Sequence, residues 1–309
     1  MNKKLISSVL TTAVGIAILL FGMISCDSCK CKNCPAPNAC KDCCCVDGDS
    51  TKVCSDTSCP CTKVEKKLPL NISIFLDLSD RLAQTDDVYS QEVLDSAIIS
   101  NITLWFAKNT RGPGILQSQN RIKVFFHPDP KDPAVLNYAK NLDYDITQYE
   151  GIEKTKTLTQ LDSTFWANLK PLYEGAISEQ KWIGSDVWGF FSYADVDNSC
   201  IRSGFRNVIF IITDGYLYYA PNSAIPNANL TPSSLSNPQF RLEVKRDGLD
   251  DLEVCMLEVR PESVTQREPL LQVLSTWFTT MGIKPENLKI ATTSKPNNTA
   301  VIIENFLNK

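Results

Sequence analysis

The sequence predicts an α/β fold: an open, mostly parallel sheet with helices on both faces. Three observations carry this expectation. From Leu68 onward, short β-rich apolar runs alternate with longer segments of helical periodicity. One of these runs, Val208-Ile209-Phe210-Ile211-Ile212, is apolar at every position. A strand covered on both faces by helices reads this way, whereas a half-exposed strand alternates. Two of the runs also end on an acid, Asp77 and Asp214, and in open α/β sheets binding sites lie at the carboxyl ends of the strands.

Taken in order, Leu70 to Leu76 is the first expected strand, ending at Asp77. Residues 87–108 place Leu94, Ile98, Ile102 and Phe106 at helical spacing, and Gly112-Pro113-Gly114 ends that helix. Ile122 to Phe126 is a second strand, stopped by Pro128. A helical turn at 133–141 and a weak strand at 145–150 follow. Residues 159–179 form a helix with Leu161, Phe165, Leu169 and Leu172 on one side, and 186–194 a shorter one. After the central strand at 208–212 come a strand at 252–259, a helix at 263–281, a short strand at 288–291 and a closing helix at 297–308.

The chain divides into three parts by composition: residues 1–25, 26–67 and 68–309. The first opens with Lys3 and Lys4 and then runs from residue 5 to Cys26 without a charge. A basic start followed by an apolar stretch is a secretory signal peptide by its physics. Met23-Ile24-Ser25-Cys26 resembles the lipobox of bacterial lipoproteins, which implies lipid on Cys26, palmitate among its acyl chains, as the mature N-terminus. An uncleaved single-pass anchor is the alternative, since an uncharged run of this length spans a bilayer. Either way the body is expected outside the cytoplasm, tethered to a membrane, with the outer membrane or cell surface favoured over the inner membrane.

Of 13 cysteines, eleven lie between Cys26 and Cys61. Large apolar residues are almost absent there, so only cross-links could order this stalk. Three readings stay open: a disulfide knob formed in an oxidising envelope, a thiolate metal-binding segment, and a flexible spacer. The body, residues 68–309, holds 22 basic and 29 acidic residues. Such a surface gains nothing from counterion release, which argues against nucleic acid as a partner. His127 is the single histidine. That leaves little room for histidine-based catalysis and none for a histidine-pair zinc site.

Three loops carry oxygen donors at the expected rim: Asp77-Leu78-Ser79-Asp80-Arg81, Ile183-Gly184-Ser185-Asp186-Val187 and Thr213-Asp214-Gly215. Carboxylates and hydroxyls suit a hard cation such as Mg²⁺, Mn²⁺ or Ca²⁺. In this order the loops resemble those of von Willebrand factor A domains, which place Asp-x-Ser-x-Ser, a Gly-Thr element and Asp-Gly around a metal-ion-dependent adhesion site. The resemblance implies Asp77, Ser79, Ser185 and Asp214 as metal ligands. Arg81 stands where the second serine belongs. Turned inward, its guanidinium would pair with an acid and replace the cation. Turned to solvent, it would cost one hydroxyl ligand. Asp80 is expected to be exposed or capping, and Asp186 to open a helix.

Three functional readings follow. The first is a non-enzymatic, lipid-anchored binding or adhesion module, in which a bound ion presents an open position to an acidic residue of a protein partner. The second is a metal-dependent hydrolase using Asp77 and Asp214, for which no clear general base is present. The third is a cysteine-rich metal-binding lipoprotein. Tyr216, Tyr218 and Tyr219 leave the rim on a long connection and are expected partner contacts. Cys255 reads as a buried strand residue, and Cys200 as a loop residue with Cys255 as a conceivable disulfide partner.

Overall fold

The computed structural model describes residues 68–83, 88–112, 114–129, 132–179, 185–193, 195–216, 233 and 246–309. The signal segment, Cys26, the stalk, Tyr218 and Tyr219 lie outside the described residues. The described chain runs Leu70–Leu76 (β1), Gln91–Thr110 (α1), Arg121–Phe125 (β2), Pro133–Lys140 (α2), Asp143–Asp145 (β3) and Gly151–Glu179 (α3). It continues through Val187–Ser192 (α4), Asp195–Cys200 (α5), Arg206–Ile212 (β4), Glu253–Val259 (β5), Arg267–Thr280 (α6), Leu288–Thr292 (β6) and Pro296–Leu307 (α7).

The sheet has the order β3-β2-β1-β4-β5-β6. All pairings are parallel except that of β3 on β2, which is antiparallel. Alternation along each strand divides the core in two. Ile72, Ile74, Leu76, Val208, Phe210 and Ile212 face one side and pack with Ile102 and Phe106 of α1, Phe165 and Leu169 of α3 and Phe306 of α7. Phe75, Ile209, Ile211, Val254 and Met256 face the other side, against Phe190 and Phe191 of α4 and Trp277 and Phe278 of α6. Helices on both faces are therefore the direct consequence of central strands buried on both sides, above all the all-apolar run Val208–Ile212.

Helix starts are set by local chemistry. Ser90 Oγ accepts from Val93 N at 3.4 Å ahead of α1, and Asp132 caps α2 with Pro133 at its first position. Asp186 Oδ1 accepts from Gly189 N at 2.7 Å and caps α4. The cap needs the glycine, because a Cβ at 189 would lie 2.2 Å from Asp186 Oδ2.

Three details depart from the sequence reading. The weak strand at 145–150 stops at Asp145, whose Oδ1 accepts from Thr147 N at 3.0 Å and Thr147 Oγ1 at 2.6 Å. That local bonding turns the chain into a short 3-10 segment, Ile146–Gln148, instead of extending the ladder. Helix α3 begins at Gly151 rather than 159. Its extra turns bury Leu158 and the stem of Lys154, whose Nζ donates to Leu116 O at 2.8 Å. A lysine inside an apolar stripe hides that stripe from a polarity pattern. The helix expected at 186–194 is α4, Val187–Ser192, and a further short helix, α5, follows it. Cys200 ends α5 rather than lying in a loop, and both Cys200 and Cys255 are free thiols. They belong to opposite faces of the sheet, so no disulfide joins them. Burial pushes the Cys200 thiol up to about 11.

Candidate metal-binding rim

The strand order places β1 beside β4, while the chain leaves β1 toward β2 and β4 toward β5. Crossovers departing in opposite directions open a crevice at the carboxyl ends of the two strands. Register makes those ends level: Leu76 pairs with Ile212. Asp77 and Thr213 are thus neighbours, and Asp214 is one residue further.

Asp77 is fully buried. Its backbone N donates to Ile212 O at 3.1 Å. Its Oδ1 accepts from Ser79 N at 2.8 Å, and its Oδ2 from Thr213 Oγ1 at 2.7 Å. Thr213 N donates in turn to Leu257 O at 3.2 Å, which ties β5 to the same point. Asp214 is less enclosed. Its Oδ1 accepts from Tyr216 N at 2.9 Å, and Gly215, at φ +87°, makes the turn between them. Burial, then the negative charge of Asp77, raise the Asp214 carboxyl to about 7, against the pull of Tyr216 N and Arg81. Burial also raises Asp77, outweighing the attraction of Arg81 and the hydrogen bonds from Thr213 and Ser79. Two carboxyls so placed favour sharing a proton or a cation over both standing ionised.

Ser79 is buried, and its Oγ accepts from Arg81 N at 3.4 Å. Ser185 is fully buried, and its Oγ has no hydrogen-bond partner. Asp186 N donates to His127 O at 3.1 Å, fixing this loop to the end of β2. On its other side Val187 lines a small apolar cavity with Thr213, Gly215 and Tyr216, so the Ser185 loop adjoins the β4 loop. Asp80 is exposed.

Arg81 is turned inward and meets the inward expectation in part: it pairs with a rim acid, Nε 3.7 Å from Asp77 Oδ2. It is 1% exposed, yet it does not take the place of an ion between the acids. Its Nε donates to the backbone O of Asp77 at 2.9 Å, and the fork closes on Asp95 of α1, with Nη1 to Oδ1 at 3.3 Å and Nη2 to Oδ2 at 2.6 Å. Only Nε lies near the rim acids. Asp95 also accepts from Gln91 Nε2 at 2.9 Å and Tyr173 OH at 2.7 Å. Glu258, at the end of β5, is buried beside this group with φ +65° and an unpartnered Oε2. Burial and the charge of Asp95 raise its carboxyl to about 7, against Arg81, Gln91 and Thr293.

These residues were not singled out by sequence reasoning. For Asp95 a signal existed: it shares its register with Ile98, Ile102 and Phe106 on the buried face of α1. An acid within an apolar stripe needs a buried partner. Tyr216 corrects another expectation. It is 4% exposed, its OH donates to Gln266 Oε1 at 3.1 Å and accepts from Glu262 N at 3.2 Å. It is a core residue that pins the β4 loop, not a partner contact.

In fold, the body is an open, mostly parallel α/β sheet with helices on both faces. No family model and no curated protein matches the chain. Among solved structures, it is similar to an aerotolerance-related membrane protein from Bacteroides fragilis carrying multiple mutations to serine. Identity there is 14% and the TM-score 0.36, over 77% of this chain and 98% of that one. It is also similar to proximal thread matrix protein 1 from the mussel byssus, in a structure with a zinc-occupied MIDAS motif. Identity is 9% and the TM-score 0.37, over 78% of this chain and 48% of that one.

Among the described residues, no group of three or more His, Cys, Asp or Glu side chains is placed to hold a metal. An ion at this rim would rest on two carboxylates, serine hydroxyls and water. The orphaned Ser185 hydroxyl and the raised Asp77–Asp214 pair fit such an ion. The all-oxygen donor set fits a hard divalent cation rather than a soft one.

Proposed function

We propose that this chain is a binding or adhesion module of the bacterial cell envelope, not an enzyme, and that its rim binds a protein partner through a divalent cation. Asp77, Ser79, Ser185 and Asp214 hold the ion, Mg²⁺ or Mn²⁺ before Ca²⁺. When bound, the ion supplies positive charge at the rim and an open position for a carboxylate of the partner. The rest is done by this chain's own residues. Ser79 N and Thr213 Oγ1 orient the Asp77 carboxylate, and Tyr216 N orients that of Asp214. The observation that carries this reading is that β1 and β4 end level, which brings Asp77 and Asp214 to one crevice, with an unpartnered buried hydroxyl in the adjacent loop.

The hydrolase reading finds no support from a base. His127 turns to Asp195, with Nε2 3.9 Å from Oδ2, and its backbone O holds the Ser185 loop. Among the described residues no helix is long and apolar enough to cross a membrane. Anchoring by lipid on Cys26 is part of this proposal, and intact-mass measurement and detergent partitioning of Cys26→Ser test it. A variant that matures and stays membrane-bound like the wild type would reject the lipid. For the rim, isothermal titration of Mg²⁺ into wild type and Asp214→Ala is the test. Saturable binding in the first and none in the second is expected. Equal heats in both would reject the site. Mg²⁺ is chosen because thiols, abundant in the stalk, bind it poorly.

A further inference from the structure

Arg81 is a full positive charge beside the proposed cation site, and only its Nη1/Nη2 fork is turned away from that site. Its Nε is 3.7 Å from Asp77 Oδ2. A guanidinium is always charged and binds carboxylates with a two-pronged fork. Left to itself, it would settle on the nearest acids, Asp77 and Asp214. What prevents this is Asp95. All four of its observed hydrogen bonds come from buried donors: Arg81 Nη1 and Gln91 Nε2 on Oδ1, Arg81 Nη2 and Tyr173 OH on Oδ2. Gln91 and Tyr173 come from α1 and α3, so the carboxylate that grips Arg81 is itself fixed by two helices. Arg81 meanwhile keeps one bond to the β1 loop, Nε to Asp77 O at 2.9 Å, with Nε also 3.7 Å from Asp77 Oδ2.

Building on the proposed cation site, we propose that Asp95 is a positioning residue for it: Asp95 holds the Arg81 fork off the Asp77–Asp214 pair, and without that hold the fork acts as an intramolecular competitor of the divalent ion. Asp95 touches neither the ion nor its ligands. It acts through Arg81, by giving the guanidinium a better partner than the rim. Tyr173 and Gln91 serve the same end, since each bond they donate fixes Asp95 in the position that closes the fork. Glu258 is the other carboxyl beside the group, with a buried and unpartnered Oε2. It is the alternative acceptor to which a released Arg81 could turn, and the experiment below separates that outcome.

The experiment measures the apparent Mg²⁺ affinity of the full-length chain in detergent, read as the rise in melting temperature against Mg²⁺ concentration. Wild type, Asp95→Asn, Tyr173→Phe and the double variant Asp95→Asn/Arg81→Met are compared. Asp95→Asn is expected to bind Mg²⁺ roughly tenfold or more weakly, because a fork released from Asp95 closes on the rim carboxylates that the ion needs, where opposite charges attract strongly even at an intermediate dielectric. The double variant should recover wild-type affinity, since the competitor is gone. It also removes both members of the buried pair, which is better tolerated than removing one. If Asp95→Asn does not fold, Tyr173→Phe, which removes a single donor, decides: a smaller weakening of Mg²⁺ binding with the fold intact is expected, and no change would overturn the proposal. Asp95→Asn with undiminished Mg²⁺ affinity would overturn it too, as when Arg81 turns to Glu258. So would a double variant that stays weak, because Asp95 would then be structural only. If wild type does not respond to Mg²⁺ but the double variant does, the site stands and the hold by Asp95 fails. If neither responds, the cation site itself is rejected, and the role of Asp95 with it.

Discussion

Strands β1 and β4 end level, and each is followed within two residues by an acid at one crevice, yet the two acids live differently. Asp77 is sealed in, with both carboxylate oxygens hydrogen-bonded and a guanidinium behind it. Asp214 has one backbone donor and is partly open to solvent. The difference teaches how the rim divides its work. The β1 loop is a fixed half whose geometry is set from beneath by Arg81, Asp95 and Tyr173. The β4 loop carries the carboxyl whose charge responds to conditions.

The largest expected effect tests the fixed half. Arg81→Ala leaves Asp95 buried without its main partner, and removing one member of a buried ion pair costs about 3–5 kcal/mol. Denaturant unfolding should show that loss, and a much smaller loss in Asp95→Asn/Arg81→Met. A loss under about 1 kcal/mol, the usual effect of a surface change, would mean the network does not hold the β1 loop.

The responsive half is tested by pH. Asp214 and Glu258 have folded values of about 7, raised above their unfolded ones. For an acid raised in this way, the stabilising contribution is fully present below the unfolded value near 4. It is lost as pH rises through the folded value near 7. Without divalent cation, stability should therefore fall across pH 4–7, by on the order of 2 kcal/mol for Asp214 after allowing for its partial exposure to solvent. Asp214→Asn should remove part of that slope and Glu258→Gln another part. A slope unchanged in Asp214→Asn would show that the β4 acid is not strained.

Much of the architecture was legible in the sequence because it is written in apolar periodicity. The all-apolar run at Val208–Ile212 announced a central parallel strand, and Asp77 and Asp214 were placed at its rim by their positions after strands. What escaped the sequence is what depends on long-range polar pairing. Arg81 could be read as facing in or out, but its partner Asp95 lies on a helix and shows itself only as an acid out of place beside Ile98 and Ile102. Tyr216 looked like a contact residue because it starts an irregular stretch; its hydroxyl is instead taken up by Gln266 and Glu262. Lys154 hid two turns of α3 by carrying charge into a buried stripe.

A smaller effect separates ligand from scaffold in the middle loop. Ser185→Ala deletes a hydroxyl that makes no hydrogen bond, so the fold should change in stability by no more than about 0.5 kcal/mol. Mg²⁺ affinity, measured by calorimetry, should nonetheless fall. A variant that loses stability but binds Mg²⁺ as before would assign Ser185 to packing alone.

The account stands most directly on one measurement: the Mg²⁺-induced rise in melting temperature of the full-length chain at pH 5 and at pH 8, in wild type and Asp214→Ala. At pH 8 Asp214 has lost its proton, so a cation should raise the wild-type melting temperature clearly. At pH 5 a proton on Asp214 competes and the rise should shrink. Asp214→Ala should show no rise at either pH. A wild-type chain indifferent to Mg²⁺ at pH 8, or a rise that survives Asp214→Ala, would contradict the reading of this rim as a cation-dependent binding site.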